Sequence, residues 1–400
     1  MNRRLLLLVV PSLLCTPVFE ANSTVFSLPP DALERAKVRL ATNDPSLQSA
    51  LDALIADADK ALIAKPVSVT EKPKPGASGD KHDYFSTAPY FWPDPSKPNG
   101  LPYIRKDGQR NPESGNTYSD SPRLGRTSRN GFTLALAYHF TTNEAHAAHA
   151  AKLLRVFFLD PATRMNPNFN QAQAIPGVST GRGTGMIESR SLASVADAVT
   201  LLRGSPHWNR GDDEAMTAWF NAFLDWALTS KNGRDERAAK NNHGTFYDAQ
   251  VAHLALFCGR TNLAREIISS ATTNRLAAQI KPDGSQPLEL ARVDSFLYSR
   301  FNLLAMFDLA TLGGHVNIDL WHYQTPEGAG LRKALDFLLP YVVQPDKPWP
   351  HERGKKQPRS LDARLLRQAF AVYGDSCYRD TLRTLPNGDT GRDALFFNSR

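Results

Sequence analysis

Cysteine is scarce, at 3 of 400 residues. That excludes a disulfide framework and a cysteine-based zinc module. Cys15 falls in an N-terminal apolar run. Cys258 and Cys377 lie far apart and read as two buried free thiols, although an oxidising compartment would let them pair. Glycine (25) and proline (28) together stay well below collagen-like or low-complexity usage. Beyond the first fourteen residues no stretch is apolar enough to cross a bilayer. No fixed-period repeat is visible. Three familiar catalytic signatures are missing as well: the Gly-x-Ser-x-Gly elbow, the His-Glu-x-x-His metal helix and a phosphate loop ending in Gly-Lys-Ser/Thr. His146 and His149 have no acid partners near them in sequence. The sequence therefore calls for no metal and no cofactor. Aspartate and glutamate are spread too evenly to single out a carboxylate pair for hydrolysis.

What is present is an ordinary globular balance. Hydrophobic residues make up 41% and charged residues 22%, and a chain this long can bury a large core without staples. The first 21 residues read as a secretory leader. Arg3 and Arg4 form a charged start, and residues 5–14 form an apolar run too short to span a bilayer. Cleavage is placed near Ala21, although Phe19 stands where a small residue is expected. Leu14 is a poor residue before a lipidated Cys15. Formal net charge is +7; removing the leader takes two arginines and Glu20 and leaves +6. A basic protein exported to a periplasm or medium suits an acidic partner, either nucleic acid or an anionic polysaccharide, with a solvated basic surface as the bland alternative.

Apolar residues recur at helical spacing over 31–40, 47–63, 131–141, 144–159, 186–202, 214–229, 243–257, 263–280, 293–311, 331–343 and 361–373. Strand-like alternation is scarce. Many helices in sequential pairs predict an all-α chain with one domain over 22–400, an (α/α) toroid or barrel; the missing period argues against a solenoid. One long irregular stretch interrupts the pattern, over about 65–126. Its aromatics, Tyr84, Phe85, Tyr90, Phe91, Trp92 and Tyr103, argue against disorder, and a loop of that length is expected to have a function.

Four clusters have residues suited to chemistry. Asn241-Asn242-His243-Gly244 opens an apolar segment, where free backbone N–H groups favour a bound anion. Asn242 can add amide donors, His243 has a reference pKa of about 6.5 and can act as a base near neutrality, and Tyr247 lies one turn on and shares its face. The bland alternative is an Asn cap beside an incidental His. Around 289–300, Tyr298 can give or take a proton and Arg292 offers a fork for a carboxylate. Six helical steps would put those two on different faces, so Arg292 is expected to precede the regular helix or sit in an irregular first turn. In the long loop, Tyr90 and Trp92 among Arg105, Lys106 and Arg110 suit anionic sugar rings. Finally, the Gly-rich run 181–185 leads to Glu188 and Arg190, with Arg182 inside it. It could cradle an anion, or be a tight loop before a helix. His351 lies in a loop after Trp349-Pro350.

Taken in order, Asp83-Tyr84-Phe85-Ser86, Pro89-Tyr90-Phe91-Trp92-Pro93-Asp94, Arg105-Lys106-Asp107-Gly108 with Asn111-Pro112-Glu113, Gly185-Met186-Ile187-Glu188 and Asn241-Asn242-His243-Gly244 resemble the alginate lyase superfamily, polysaccharide lyase family 38 more than family 5. In family 5 the corresponding Arg and Tyr are seven apart, whereas Arg292 and Tyr298 are six apart. The resemblance implies an (α/α) toroid and metal-free β-elimination of a uronate polymer. Asn242 and Arg292 would neutralise the carboxylate, His243 would take the C5 proton, and Tyr298 would protonate the leaving O4 or act as base for the opposite epimer. Asn241, Tyr247, Tyr84, Tyr90, Trp92, Arg182, Glu188, Arg190 and His351 are the subsite or support residues. The expected partner is alginate, polymannuronate, polyguluronate or polyglucuronate, with no nucleic acid and no membrane once the leader is gone. A non-catalytic polysaccharide-binding toroid and a helical glycoside hydrolase are the competing readings.

Overall fold

The computed structural model describes residues 24–353, 358–386, 388 and 390–397; the leader reading and its cleavage site lie outside them. Among the described residues the α-helices are α1 (Ala32–Ala41), α2 (Pro45–Leu62), α3 (Ser121–Thr141), α4 (Glu144–Leu154), α5 (Leu192–Leu202), α6 (Arg210–Thr229), α7 (Lys231–Ala238), α8 (Asn242–Phe257), α9 (Thr261–Ala271), α10 (Pro287–Leu290), α11 (Ser295–Gly314), α12 (Leu331–Leu338), α13 (Pro340–Val343), α14 (Ala363–Tyr373) and α15 (Ser376–Arg383). Four short strands complete the elements: β1 (Phe85–Thr87), β2 (Phe91–Trp92), β3 (Ile104–Arg105) and β4 (Gln171–Ala174). The chain is therefore all-α in class, as the periodicity predicts.

The helices sort into two layers by how much of their circumference is apolar. α5 and α8 are buried nearly all round, and most of α11 is too, as expected of helices surrounded by protein. α3 packs on α5, α5 on α8 and α8 on α11, so these four form the inner layer. The outer helices show a single apolar stripe. In α6 it is Met216, Trp219, Phe220, Phe223, Leu224 and Ala227, in α9 Ala264, Ile267, Ile268 and Ala271, and in α12 Leu331, Ala334, Leu335 and Leu338. Each stripe follows the three-and-four spacing of one helix face. Outer helices α4 and α9 lie directly against inner α3 and α8. Outer and inner helices alternate along the chain, which is the (α/α) toroid. One contiguous cluster of buried apolar side chains runs from Val25 to Phe397.

This alternation orients the site. Each inner helix is entered after an outer one, so α5, α8 and α11 run the same way and start at the same end. Their starts are tied together: Gly183–Ser191, a 3₁₀ segment before α5, packs on α7 and α8, and Glu289 of α10 bonds the first residue of α8. The long loop is anchored at the same end by a buried cluster. Lys72 donates to Asp120 at 2.9 Å, and Asp120 also accepts from the Phe85 backbone at 3.0 Å. β1 pairs in parallel with β4, and β2 with β3 in an antiparallel hairpin.

Several boundaries differ from the sequence expectation. α3 begins ten residues earlier than 131, because Ser121-Pro122 opens it while its polar first turns carry no apolar periodicity. α7, α10 and α15 had no signal: α7 is almost wholly polar, and α10 is a single turn. Residues 155–159 and 272–277 widen into π-turns. Cys258 and Cys377 are free thiols, each partly buried.

Candidate active site

His243 stands in the first turn of α8, after Asn241, whose side chain caps the helix by accepting from the His243 backbone at 3.3 Å. The chain can make this start only because residue 244 is glycine. A Cβ there would overlap the Ala239 carbonyl and the Arg275 guanidinium. Arg275 in turn caps the end of α7 through the carbonyls of Ala239 and Arg237, at 2.7 and 2.9 Å, and pairs with buried Asp248 at 2.7 Å. The end of α7 is thereby pressed against the start of α8. This places Glu236, fully buried, 2.7 Å from His243 Nδ1. A carboxylate can only accept, so Nδ1 carries the proton of this bond, and Nε2 is the ring nitrogen outside it. The His243 side chain is 20% exposed.

Arg292 lies in the turn between α10 and α11, ahead of the regular helix, and Tyr298 lies in the first turns of α11, whose N-cap is Asp294. That irregularity lets the two meet: the Arg292 guanidinium carbon is 3.6 Å from the centre of the Tyr298 ring. The Tyr298 hydroxyl donates to Tyr90 at 2.8 Å. Burial raises the Tyr298 phenol well above its ordinary value, the Tyr90 hydrogen bond adds to that, and the Arg292 charge works the other way. Arg292 is also held by Asp107, through Nε at 3.2 Å and Nη2 at 2.8 Å. Partial burial opposes the Asp107 charge, yet the Arg292 and Arg105 guanidiniums keep its carboxyl below the usual range.

The Asn242 side chain is fully buried, and Glu289 accepts from both its backbone N at 2.6 Å and its Nδ2 at 2.8 Å. One of the two amide N–H groups is thus committed, leaving one. Burial raises the Glu289 carboxyl, against the Asn242 bonds and the Arg292 and His243 charges. Tyr247 differs from the sequence expectation. It is buried and its hydroxyl donates to the Ala227 carbonyl at 3.1 Å, so it packs α8 on α6 rather than sharing an open face with His243. Tyr84 is likewise fully buried, stacked 4.1 Å on Phe169 with its hydroxyl 2.7 Å from Glu188. Both are packed within the wall, with their hydroxyls bonded to protein.

Glu188 gathers hydrogen bonds from Tyr84, from Ser86 at 2.6 Å and from Gln173 at 3.3 Å, and Gln173 accepts from Arg182 at 2.6 Å. Burial raises its carboxyl despite these bonds. Gln173 holds this bridging place in the left-handed region, at φ 51°. Arg182 lies 5.1 Å from the Phe91 ring, next to Tyr90. The contacts form one chain around the common helix end, from His243 and Glu236 through α7, Arg182, Phe91 and Tyr90 to Tyr298, Arg292 and Asp107. Three helix starts with partial positive charge and several arginines line it, a setting suited to polyanions. Among the described residues, no three His, Cys, Asp or Glu side chains converge as a metal-ligand set.

The family model described as alginate lyase matches residues 68–349. The chain belongs to the alginate lyase family. An alginate lyase from Bacteroides ovatus, known from its crystal structure, is 38% identical with a TM-score of 0.88; the match covers 94% of this chain and 100% of that one. Alginate lyase A1-III from Sphingomonas species A1 is 17% identical with a TM-score of 0.59, covering 94% and 97%, and shares the fold. A variant of A1-III complexed with a tetrasaccharide gives 16% and 0.62, covering 94% and 99%. No curated protein matches the chain. This chain is thus a polysaccharide lyase enzyme.

Two carboxylates of this lyase's site, Glu236 and Glu289, were not assigned a role from sequence. Glu236 is seven residues before His243, but α7 ends and α8 begins between them, so the helical spacing of seven does not put them on one face; Glu289 is 47 residues from Asn242, too far for any local pattern. Of the outer residues, Arg190 is exposed, with its guanidinium 5.7 Å from the Phe301 ring. Trp92 donates to the Gln109 carbonyl at 2.8 Å, with Lys106 5.6 Å over its ring. The His351 ring packs 5.2 Å from Trp349, and its carbonyl accepts from Ser295 at the head of α11 at 2.8 Å. His351 thus braces the turn carrying Arg292 rather than joining the Glu236–Asp107 chain of contacts.

Proposed function

We propose that this lyase cleaves alginate or a related polyuronate by β-elimination without a metal ion, leaving 4,5-unsaturated uronate ends. The observation that carries the reading is the opposite backing of its two acid–base groups. His243 has a buried carboxylate behind it, which holds the Nδ1 proton and fixes the ring so that Nε2 is the atom that would receive one. Tyr298 has a guanidinium on its ring face, which opposes the burial that holds its proton on. His243 Nε2 would remove the C5 proton, the electron pair would form the C4–C5 double bond, the C4–O4 bond would break, and O4 would take the Tyr298 proton. Charge building on the C5 carboxylate would be met by Arg292 and the free N–H of Asn242. For the opposite C5 epimer, the proton faces Tyr298. Its ionisation is opposed by burial and favoured by Arg292. Tyr90, Trp92, Arg182 and Arg190 supply stacking faces and cations for flanking sugars.

The test is ultraviolet absorbance over time on polymannuronate, polyguluronate and polyglucuronate. A rise on at least one is expected, and unchanged with a chelator present. New reducing ends without a rise would instead identify a hydrolase; loss with chelator, restored by a divalent ion, would remove the metal-free step.

A further inference from the structure

We propose that Asp107 is a positioning residue for this reaction: it holds Arg292 flat against the Tyr298 ring and turns a fixed guanidinium edge toward the uronate carboxylate. This rests on the roles proposed above for Arg292 and Tyr298.

The argument starts from where Arg292 is. It stands in a turn, not on a helix, so its backbone does not restrict the long side chain to one direction. Its guanidinium nevertheless lies 3.6 Å from the Tyr298 ring centre with only 15% of the side chain exposed. Asp107 supplies the restraint. Its two oxygens take Nε and Nη2 at 3.2 and 2.8 Å, a two-point grip that fixes the plane of the fork and not just its position. The grip takes Nε and Nη2 and leaves Nη1 outside it, so in this proposal Nη1 is the edge turned toward the uronate carboxylate.

Asp107 is itself held in place. It follows β3, whose next residue Lys106 donates its backbone N–H to the Tyr90 carbonyl at 2.8 Å. Gly108 turns the chain at φ 71°, and a Cβ there would stand 3.2 Å from Val293 Cγ1, beside Arg292. Arg105 shares the same carboxylate at 3.0 Å. The β2–β3 hairpin therefore delivers two contacts at once, Tyr90 to the Tyr298 hydroxyl and Asp107 to the group on the Tyr298 ring face. Without the second, the guanidinium would be free to swing off the ring toward solvent or toward any carboxylate of the polymer.

Steady-state kinetics on the preferred polymer test this in Asp107→Ala, Asp107→Asn and Asp107→Glu, each with and without Arg292→Lys, which cannot form the two-point grip. Misplacing a catalytic group by an ångström costs up to about 100-fold. Asp107→Ala is expected to lower kcat about 10- to 100-fold with KM within about threefold, and Asp107→Glu to recover much of it. In the Arg292→Lys background the same change is expected to cost less than about twofold. A kcat within about twofold of the parent overturns the proposal, and so does an equal loss in both backgrounds. Should Asp107→Ala lower the melting temperature markedly, Asp107→Asn, of equal size, provides the test, with a loss of at least about fivefold expected. Full kcat in Arg292→Lys alone would strike the reading of Arg292 itself, a result distinct from a failure confined to Asp107.

Discussion

His243 and Tyr298 depend on what stands behind them. An imidazole with a carboxylate 2.7 Å from Nδ1 is locked in one tautomer and one orientation, and a phenol stacked under a guanidinium has its anion partly neutralised in advance. We expect His243→Ala and Tyr298→Phe each to lower kcat by about 10²–10⁴-fold while thermal melts stay within a few degrees of the parent. Near-parent rates in either variant would remove that residue from the chemistry. Glu236→Gln keeps the size and the hydrogen bond but not the charge. It is expected to cost about 10-fold or more in kcat, with KM little changed; parental kcat would show that the carboxylate charge is idle. His243, Tyr298 and Arg292 stood out in the sequence as candidates because an Asn-Asn-His-Gly helix start and an Arg–Tyr pair suit an anion and a proton transfer. Their carboxylate partners were not, because a pair made across a helix break or a hairpin leaves no spacing to read.

The helices were legible where one apolar stripe or a wholly apolar segment marks them, as in α6 and α8, and illegible where the face is polar, as in α7. That gap matters, because α7 carries Glu236. The junction of α7 and α8 depends on Gly244, and Gly244→Ala would force its Cβ into the Ala239 carbonyl and the Arg275 fork. We expect a destabilisation of about 1–3 kcal/mol or more and a loss of activity beyond that explained by unfolding, since His243 is the preceding residue. A melting temperature and kcat both equal to the parent would show that the junction relaxes without effect. The long loop reads as functional from its length and aromatics, and the structure adds how it is held: Lys72 and Asp120 at its two ends form a buried pair, and short pairings with β4 and within the β2–β3 hairpin fix its middle.

Two properties belong to the molecule as a whole. Its formal charge of +7 and a site lined by arginines and helix starts attract a polyanion over a distance that salt shortens. Raising sodium chloride from about 0.05 to 0.5 M, which contracts the screening length about threefold, is expected to raise KM several-fold with a smaller change in kcat; a KM indifferent to salt would mean that contact, not field, governs capture. Acid stability has an identifiable contributor in His139, in the last turn of α3. Burial lowers its pKa from 6.5 to about 4, with Lys37 adding to the effect, and its Nε2 has no hydrogen-bond partner among the described residues. The unfolded chain takes up this proton first, so the contribution is full above pH 6.5 and is lost as pH falls toward 4, a swing of about 3 kcal/mol. His139→Leu should therefore lose less melting temperature than the parent between pH 7 and 4.5; equal losses would exclude His139 as the cause.

The amino-acid sequence alone was enough for the helical class and for the pairing of helices into a toroid, and it singled out the residue types of the candidate site, because these follow from local periodicity and from the chemistry of side chains near one another along the chain. Which carboxylate backs which group came only with packing. Glu236 meets His243, Glu289 meets Asn242 and Asp107 meets Arg292 because alternating outer and inner helices bring the starts of α5, α8 and α11 to one end, where a loop from far earlier in the chain folds onto them.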